Sequence, residues 1–109
     1  MLSITIKEEQ PHHILLLEGE IDASNSVELD DAIRGMIEGG AQSIMVDGRE
    51  LSYISSAGLG VFMSYLEDFQ EANIRFVLFG LHPNVFEVFK ILGLDQLMTI
   101  LPDKEAATK

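Results

Sequence analysis

The sequence predicts a single α/β domain with a mostly parallel mixed sheet of about four to five strands and about three to four helices. A length of 109 residues suits one hydrophobic core. Short continuous apolar runs are typical of strands buried on both faces, and helical apolar patterns lie between them. Because strands alternate with helices, the connections should be right-handed crossovers between parallel strands.

The first predicted strand alternates Leu2, Ile4 and Ile6 with polar residues. This period of two indicates one wet face, so we expect the strand near an edge of the sheet. Three continuous apolar runs, at 14–17, 44–46 and 76–79, predict central strands. A short last strand is expected around 98–100.

The first predicted helix opens at Ser24 or Asn25 and closes at Gly39 and Gly40. Asn25 followed by Glu28 predicts a capping box at its start. One apolar stripe supports the helix, formed by Leu29, Ala32, Ile33, Met36 and Ile37.

Two further helices and a tail complete the predicted domain. The second helix begins at Ser55 or Ser56 and ends near Asn73, which tolerates the left-handed conformation of a C-cap. The third follows Pro83, a residue favoured in a first helical turn, and stops at Gly93. Residues 102–109 are expected to form a flexible tail.

Composition and charge limit the classes of function. The hydrophobic fraction of 47% and charged fraction of 23% indicate a globular domain. With 18 acidic and seven basic residues, the net charge of -11 repels nucleic-acid phosphates and anionic lipids, so we expect neither direct nucleic-acid nor membrane binding. The chain has no cysteine, no membrane-length apolar run and no secretory signal pattern, which predicts a cytoplasmic protein.

Polar residues that could form a site follow the predicted strands, where loops of open α/β sheets bind ligands and partners. Asp22 lies after the second strand, and Ser55 and Ser56 lie at the start of the second helix. Either serine could serve simply as an N-cap. Gly58 and Gly60, however, each cost about 0.8–1 kcal/mol relative to alanine inside a helix, which indicates that another group approaches that backbone closely. A phosphate on either serine would be stabilised by the helix N-terminus.

Three segments carry a family resemblance: Gly19-Glu20-Ile21-Asp22, Val46-Asp47 and Tyr53-Ile54-Ser55-Ser56-Ala57-Gly58-Leu59-Gly60. They resemble the STAS domain of bacterial anti-sigma-factor antagonists. The resemblance covers nearly the whole chain and implies one STAS domain over residues 1–109, with residues 80–94 similar to the last helix of the family.

The resemblance implies a protein-binding switch that is not an enzyme and needs no cofactor. In the family, the unphosphorylated antagonist captures an anti-sigma factor that is also a serine kinase, and the sigma factor is released. The kinase phosphorylates a serine at the start of the central helix, and a PP2C-type serine phosphatase, which is metal-dependent, reverses the reaction. The family's phosphoacceptor falls on Ser56, with Ser55 as the alternative; Ser55 stands where the family usually has aspartate. The implied partner-binding residues are Asp22, Ser55, Ser56, Ala57, Gly58, Leu59 and Gly60.

Other functions have weaker support in the sequence. A serine hydrolase elbow would need glycine where Ile54 stands. The three histidines have no metal-binding spacing, and no phosphate-binding glycine loop occurs. Asp47 stands where a receiver domain carries its phosphorylated aspartate. The sequence has no acidic pair after the first strand, which a receiver domain also needs, so we expect Asp47 to bond loop amides instead. The main alternative within the family is a constitutive scaffold that is not phosphorylated, including a subunit of a lipid-transport complex.

A hydrophobic rim beside the site is also expected. Phe86 falls outside the apolar stripe of the third predicted helix, which predicts an exposed ring available to a partner.

Overall fold

The computed structural model describes residues 1–108 and contains five strands and four α-helices within them. The second half of the chain also contains a short 3-10 helix, Leu94–Gln96. In chain order the elements are β1 (Leu2–Glu9), β2 (His12–Ile21), α1 (Ser26–Glu38), β3 (Ser43–Ile54), α2 (Ser56–Glu71), β4 (Arg75–Phe79), α3 (Pro83–Ile91), β5 (Thr99–Leu101) and α4 (Lys104–Thr108).

The five strands form one sheet in the order β1-β2-β3-β4-β5. β1 lies at an edge and runs antiparallel to β2, with Ile4 opposite Leu17. The three other pairings are parallel, as crossover connections through α1, α2 and α3 require. The predicted fold class, a mostly parallel mixed sheet with an edge strand at the N-terminus, is therefore confirmed.

Both faces of the central strands are buried, which explains their continuous apolar runs. On the front face, Leu15, Val46 and Leu78 pack against α1, α2 and α3 in the main core. Side chains alternate along a strand, so the neighbours of these residues point to the back face. There a second, smaller core is completed by Ala107 of α4 and contains Ile14, Met45, Val77 and Phe79. Each fully buried aliphatic side chain contributes about 1.5–3 kcal/mol relative to exposure.

The helix boundaries agree with the sequence signals, except for one cap. Asn73 has a φ of 56° just after α2, and Gly93 has a φ of 75° just after α3. Asn25 precedes α1 as predicted, but its side chain makes no cap hydrogen bond, so the predicted capping box is wrong. Its amide instead accepts from Asp22 N at 2.9 Å and donates to Glu20 O at 3.0 Å, tying together the loop before the helix.

The C-terminal segment, which was expected to form a tail, contains a short helix. Residues 104–108 form α4, with Ala107 fully buried on the back face; Lys109 lies outside the described residues. Asp103 caps the helix by accepting from Ala106 N at 2.9 Å, and Lys104 pairs with Glu9 at 2.9 Å. This helix covers an apolar sheet face for which the sequence analysis predicted no helix.

Candidate functional site

The candidate site lies where β2 and β3 end and α2 begins. The apolar run at 44–46 predicted a short strand, but β3 continues to Ile54, because Leu51 and Ile54 are buried and the strand keeps its pairing with β2. The last step pairs Ile54 with Ile21, and Ser55 N then donates to Ile21 O at 2.8 Å. The start of α2 is thereby fixed to the ends of two neighbouring strands.

The two serines occupy different environments. Ser55 is the N-cap of α2 in extended geometry, and its half-buried hydroxyl accepts a long hydrogen bond from Gly58 N at 3.5 Å. Its carbonyl accepts from Leu59 N at 3.0 Å. Ser56 is the first helical residue; it is exposed, and its hydroxyl makes no hydrogen bond within residues 1–108. Ser55 therefore organises the helix start, while Ser56 presents an unused hydroxyl to solvent.

The two glycines of α2 have different causes. A Cβ at position 58 would lie 2.6 Å from Ile21 Cγ2 and 2.9 Å from Ile54 Cγ1, so Gly58 is required by packing against the strand ends. A Cβ at position 60 would meet nothing within 4 Å, and Gly60 is exposed. Packing within the fold thus explains why residue 58 is glycine. It does not explain why residue 60 is glycine.

The predicted partner-binding residues of α2 divide into two groups. Ser56 and Gly60 are exposed, and Ala57 is half-buried. Gly58 and Leu59 are buried, with Leu59 in the main core, so these two support the surface from below instead of forming it. A motif read along the chain does not separate the outward from the inward face of a helix, whereas the structure does.

The loop after β2 places Asp22 beside this helix start. The Asp22 carboxylate accepts from Ser24 N at 2.9 Å and from the Ser24 hydroxyl at 2.5 Å. These hydrogen bonds lower the pKa of Asp22, first through the Ser24 hydroxyl and then through its backbone. The carboxylate does not cap α1, since the amides of Asn25 and Ser26 donate to the Asp22 carbonyl instead. Asp22 therefore adds a negative charge to a loop whose backbone is held in place.

Asp47 has a structural role. It is buried, and both of its carboxylate oxygens accept hydrogen bonds from Arg49, with a closest distance of 2.7 Å. Arg49 N also donates to it at 3.1 Å, so the backbone amide that Asp47 bonds lies within β3 and not in the loop that was expected. Burial acts to raise the pKa of Asp47, but the hydrogen bonds and charge of Arg49 outweigh it and leave the pKa below its usual value.

A groove beside the site was not predicted from the sequence. The start of α3 is tied to β3, with His82 Nε2 2.7 Å from Arg49 O and Asn84 donating to Ser52 O at 3.2 Å. Phe86 is half-buried here, so its predicted exposure is only partial. The groove encloses about 390 Å³ and is lined by Leu81, Pro83, Phe86, Ile100, Leu101 and Pro102. Nothing in the local pattern indicated it, because its walls come from segments on either side of the 3-10 helix.

Residues 1–108 contain no cluster of three or more histidine, cysteine, aspartate or glutamate side chains arranged to hold a metal ion. His12 is bonded to Ser43 Oγ at 2.8 Å, and the neighbouring His13 lies 3.7 Å from Glu8. Within the same described range, every helix is too short or too polar to cross a bilayer.

Comparison with known proteins identifies consistent relatives. A family model described as the STAS domain matches residues 3–107. The anti-sigma-B factor antagonist of Listeria monocytogenes is 34% identical over 100 residues, covering 91% of this chain and 88% of its own length.

Solved structures share the fold. An anti-sigma factor antagonist from Mycobacterium paratuberculosis superposes with a TM-score of 0.91 at 18% identity, over 99% of this chain and 92% of the other. The unphosphorylated form of the anti-sigma factor antagonist SpoIIAA gives 0.80 at 24% identity, over 95% and 92%.

Proposed function

The chain belongs to the STAS-domain family, and we propose that it is an anti-sigma-factor antagonist controlled by phosphorylation of Ser56. In its unphosphorylated form it binds an anti-sigma factor that is also a serine kinase, and the sigma factor is released. Phosphorylation abolishes this binding. The name of the Listeria relative, an anti-sigma-B factor antagonist, supports the general role.

The observation that carries the proposal is the exposed, unbonded hydroxyl of Ser56 at the first position of α2. A kinase can reach this hydroxyl without unfolding the helix. Ser55 is the less suitable acceptor, because its half-buried hydroxyl is the N-cap of α2. Losing an N-cap contact destabilises a helix by about 1 kcal/mol.

A phosphate at Ser56 would change the surface chemistry more than the fold. It adds about -1.5 to -2 charges next to free N–H groups at the helix N-terminus, which favour negative charge. The same charge is unfavourable at a protein interface, since it must lose water and meets the negative charge of Asp22 on the adjoining loop. The modified form therefore stays folded while its complex with the kinase weakens.

Gly60 supports direct contact at the same surface. It lies one helical turn beyond Ser56 with open space above its backbone, and no intramolecular contact explains the missing side chain. A partner whose backbone or side chain rests on this turn would explain the glycine. Ser56, Ala57, Gly60 and Asp22 are thus the proposed contact residues, with Gly58 and Leu59 holding them in position.

The proposal assigns the chemistry to the partners. The anti-sigma factor kinase transfers the phosphoryl group from ATP to Ser56, and a PP2C-type serine phosphatase removes it by hydrolysis. The antagonist itself binds and is modified, and is not an enzyme. With its charge of -11, it presents a surface suited to a basic patch on the kinase and unsuited to nucleic acid.

Affinity capture from native cells tests the proposal. Wild-type protein and Ser56→Ala should both retain an ATP-binding serine kinase, whereas Ser56→Asp should retain at least tenfold less. Incubation of the purified pair with ATP should add one phosphate, mapped by mass spectrometry to Ser56. Ser55→Ala provides the matched control: it should be slightly less stable but still phosphorylated at position 56.

Two outcomes would contradict the proposal, the first as a whole and the second only in its choice of acceptor. Equal capture of the same partners by Ser56→Ala and Ser56→Asp, with no phosphate at either serine, would favour the constitutive scaffold. Phosphate mapped to Ser55 would keep the switch but move the acceptor by one residue.

A further inference from the structure

An exposed apolar patch lies where α3 ends, in the part of the fold that follows β4. Its members are Ile91, Leu92 and Leu97, whose exposed fractions are 73%, 57% and 63%. Single exposed apolar side chains are common on protein surfaces. Here three large ones occur within seven residues, on the end of α3 and the adjoining 3-10 helix, which is typical of an interaction surface.

The charge around this 91–97 patch differs from that of the rest of the chain. Residues 73–102 contain two basic side chains, Arg75 and Lys90, and two acidic ones, Glu87 and Asp95. This third of the sequence is therefore neutral, and the remainder carries the whole net charge of -11. Two copies of the chain repel each other over most of their surfaces, and residues 73–102 add no net charge to that repulsion.

A groove next to the patch provides a matching concave surface. It encloses about 560 Å³ between the second half of α2 and the segment leading into β5, and Leu97 forms part of its wall. Its lining combines the apolar residues Leu66, Phe69, Ile74 and Met98 with the polar residues Glu67, Gln70 and Thr99. Protruding apolar side chains beside a groove with these apolar members make a surface that can pair with a second copy of itself about a twofold axis.

We propose that the 91–97 patch is the contact through which two copies of this chain form a twofold-symmetric dimer, with Lys90 of each copy opposite Asp95 of the other. Lys90 is exposed and forms no ion pair within residues 1–108. Asp95 accepts only a 3.4 Å hydrogen bond from the neighbouring Gln96. Both charges lie next to the apolar side chains in the sequence. About a twofold axis, Lys90 of the first copy can face Asp95 of the second, and Asp95 of the first copy then faces Lys90 of the second.

The dimer contact is separate from the proposed kinase-binding surface. The groove uses residues 66–70 of α2, whereas Ser56 lies at the opposite end of this 16-residue helix. Ten to fourteen residues at 1.5 Å per residue place the two surfaces about 15–20 Å apart. The dimer therefore leaves Ser56 open, and its test is independent of the proposed function.

Sedimentation equilibrium of the purified full chain, up to about 1 mM, tests for the dimer. The wild type should self-associate, and Leu97→Glu and Ile91→Glu should each weaken the association constant at least tenfold. Met63→Glu is the matched control, because Met63 is a similarly exposed apolar residue on α2 outside the patch, and it should change the constant less than twofold. A wild type that remains monomeric throughout, or equal loss in the control, would overturn the proposal.

Charge exchange tests the twofold arrangement. Lys90→Glu and Asp95→Lys should each weaken dimerisation about tenfold, because each places like charges in contact. The double variant should recover to within about threefold of wild type, since the opposite charges again face each other. A double variant that is weaker than either single variant would reject this pairing, and loss of kinase capture by Leu97→Glu in a monomeric protein would assign the patch to that partner instead.

Discussion

Replacement of Gly60 by alanine separates the stability of α2 from its use as a contact surface. Inside a helix, alanine is favoured over glycine by about 0.8–1 kcal/mol. The new methyl group at position 60 would meet no atom within 4 Å, so nothing in the fold opposes this gain. Gly60→Ala should therefore stabilise the free protein by about 0.8 kcal/mol and raise its Tm by roughly 4 °C.

The same methyl group should impair partner binding, because it fills space that the proposed partner occupies. We expect the affinity for the anti-sigma factor kinase to fall at least tenfold, which corresponds to about 1.4 kcal/mol. Gly35→Ala is the matched control: Gly35 is an exposed glycine inside α1, and a Cβ there also meets nothing within 4 Å. It should give the same stabilisation with unchanged binding.

Calorimetric titration of each variant with the captured kinase, together with thermal unfolding, measures both effects. Gly58→Ala should have the opposite effect on stability, since its methyl group would collide with Ile21 and Ile54. The collision should cost about 1–3 kcal/mol, which the higher helix propensity of alanine offsets only in part. If Gly60→Ala is more stable and binds as tightly as wild type, the partner does not rest on this turn. If it is not more stable, the assignment of open space above Gly60 is itself wrong.

Three further predictions concern the supports of the fold. Arg49→Met should remove the guanidinium and leave the buried Asp47 carboxylate with only the backbone N–H of residue 49, which should destabilise the protein by roughly 1–3 kcal/mol at pH 7 in urea unfolding. Because the pKa of Asp47 in the folded protein lies below 3.8, its value in the unfolded chain, the ionised carboxylate stabilises the fold at pH values above 3.8. The difference in unfolding free energy between wild type and variant should therefore shrink as the pH falls below 3.8. Tyr65→Phe should cost about 1 kcal/mol, because the partly buried hydroxyl donates to the Asp30 carboxylate across the α1–α2 contact; an unchanged urea midpoint would contradict this. Ala107→Asp should release α4, so that trypsin cleaves after Lys104 at least tenfold faster than in wild type, and equally rapid cleavage of the wild type would show that α4 is not held.

The strands and helices that carry a clear apolar pattern or a residue with restricted backbone angles were predicted correctly from the sequence. The apolar runs around Leu15, Val46 and Leu78 determined the central strands, and Pro83 and Gly93 marked the ends of a helix through their backbone restrictions. The edge position of β1 followed from its alternation. Burial on both faces was also implied by the runs, although the element that covers the back face was not.

The errors arise where tertiary contacts override local signals. Asn25 precedes an acidic residue at the spacing of a capping box, yet its side chain bonds Glu20 and Asp22, which come close only when the loop is folded. The polar segment after Asp47 remains a strand because its pairing with β2 continues. α4 is too short to show periodicity, and its order depends on Ala107 meeting a core assembled from distant strands.

The candidate site shows the same division. The location of Ser55, Ser56 and Gly60 in the first turns of α2 was predictable from residue types and spacing. The separate roles of the two serines were not, because they depend on which hydroxyl points toward Gly58. Likewise, one glycine is required by packing and the other is not, a difference that only the neighbouring strand ends reveal.

The order of the strands has a consequence for biosynthesis. Each strand pairs with the one made just before it, so the sheet can grow during translation without waiting for a distant segment to emerge from the ribosome. The back face is the exception, because Met45, Val77 and Phe79 remain uncovered until residues 104–108 have been synthesised. Nascent chains stalled before that point would expose an apolar sheet face, so α4 should protect the newly made sheet from aggregation.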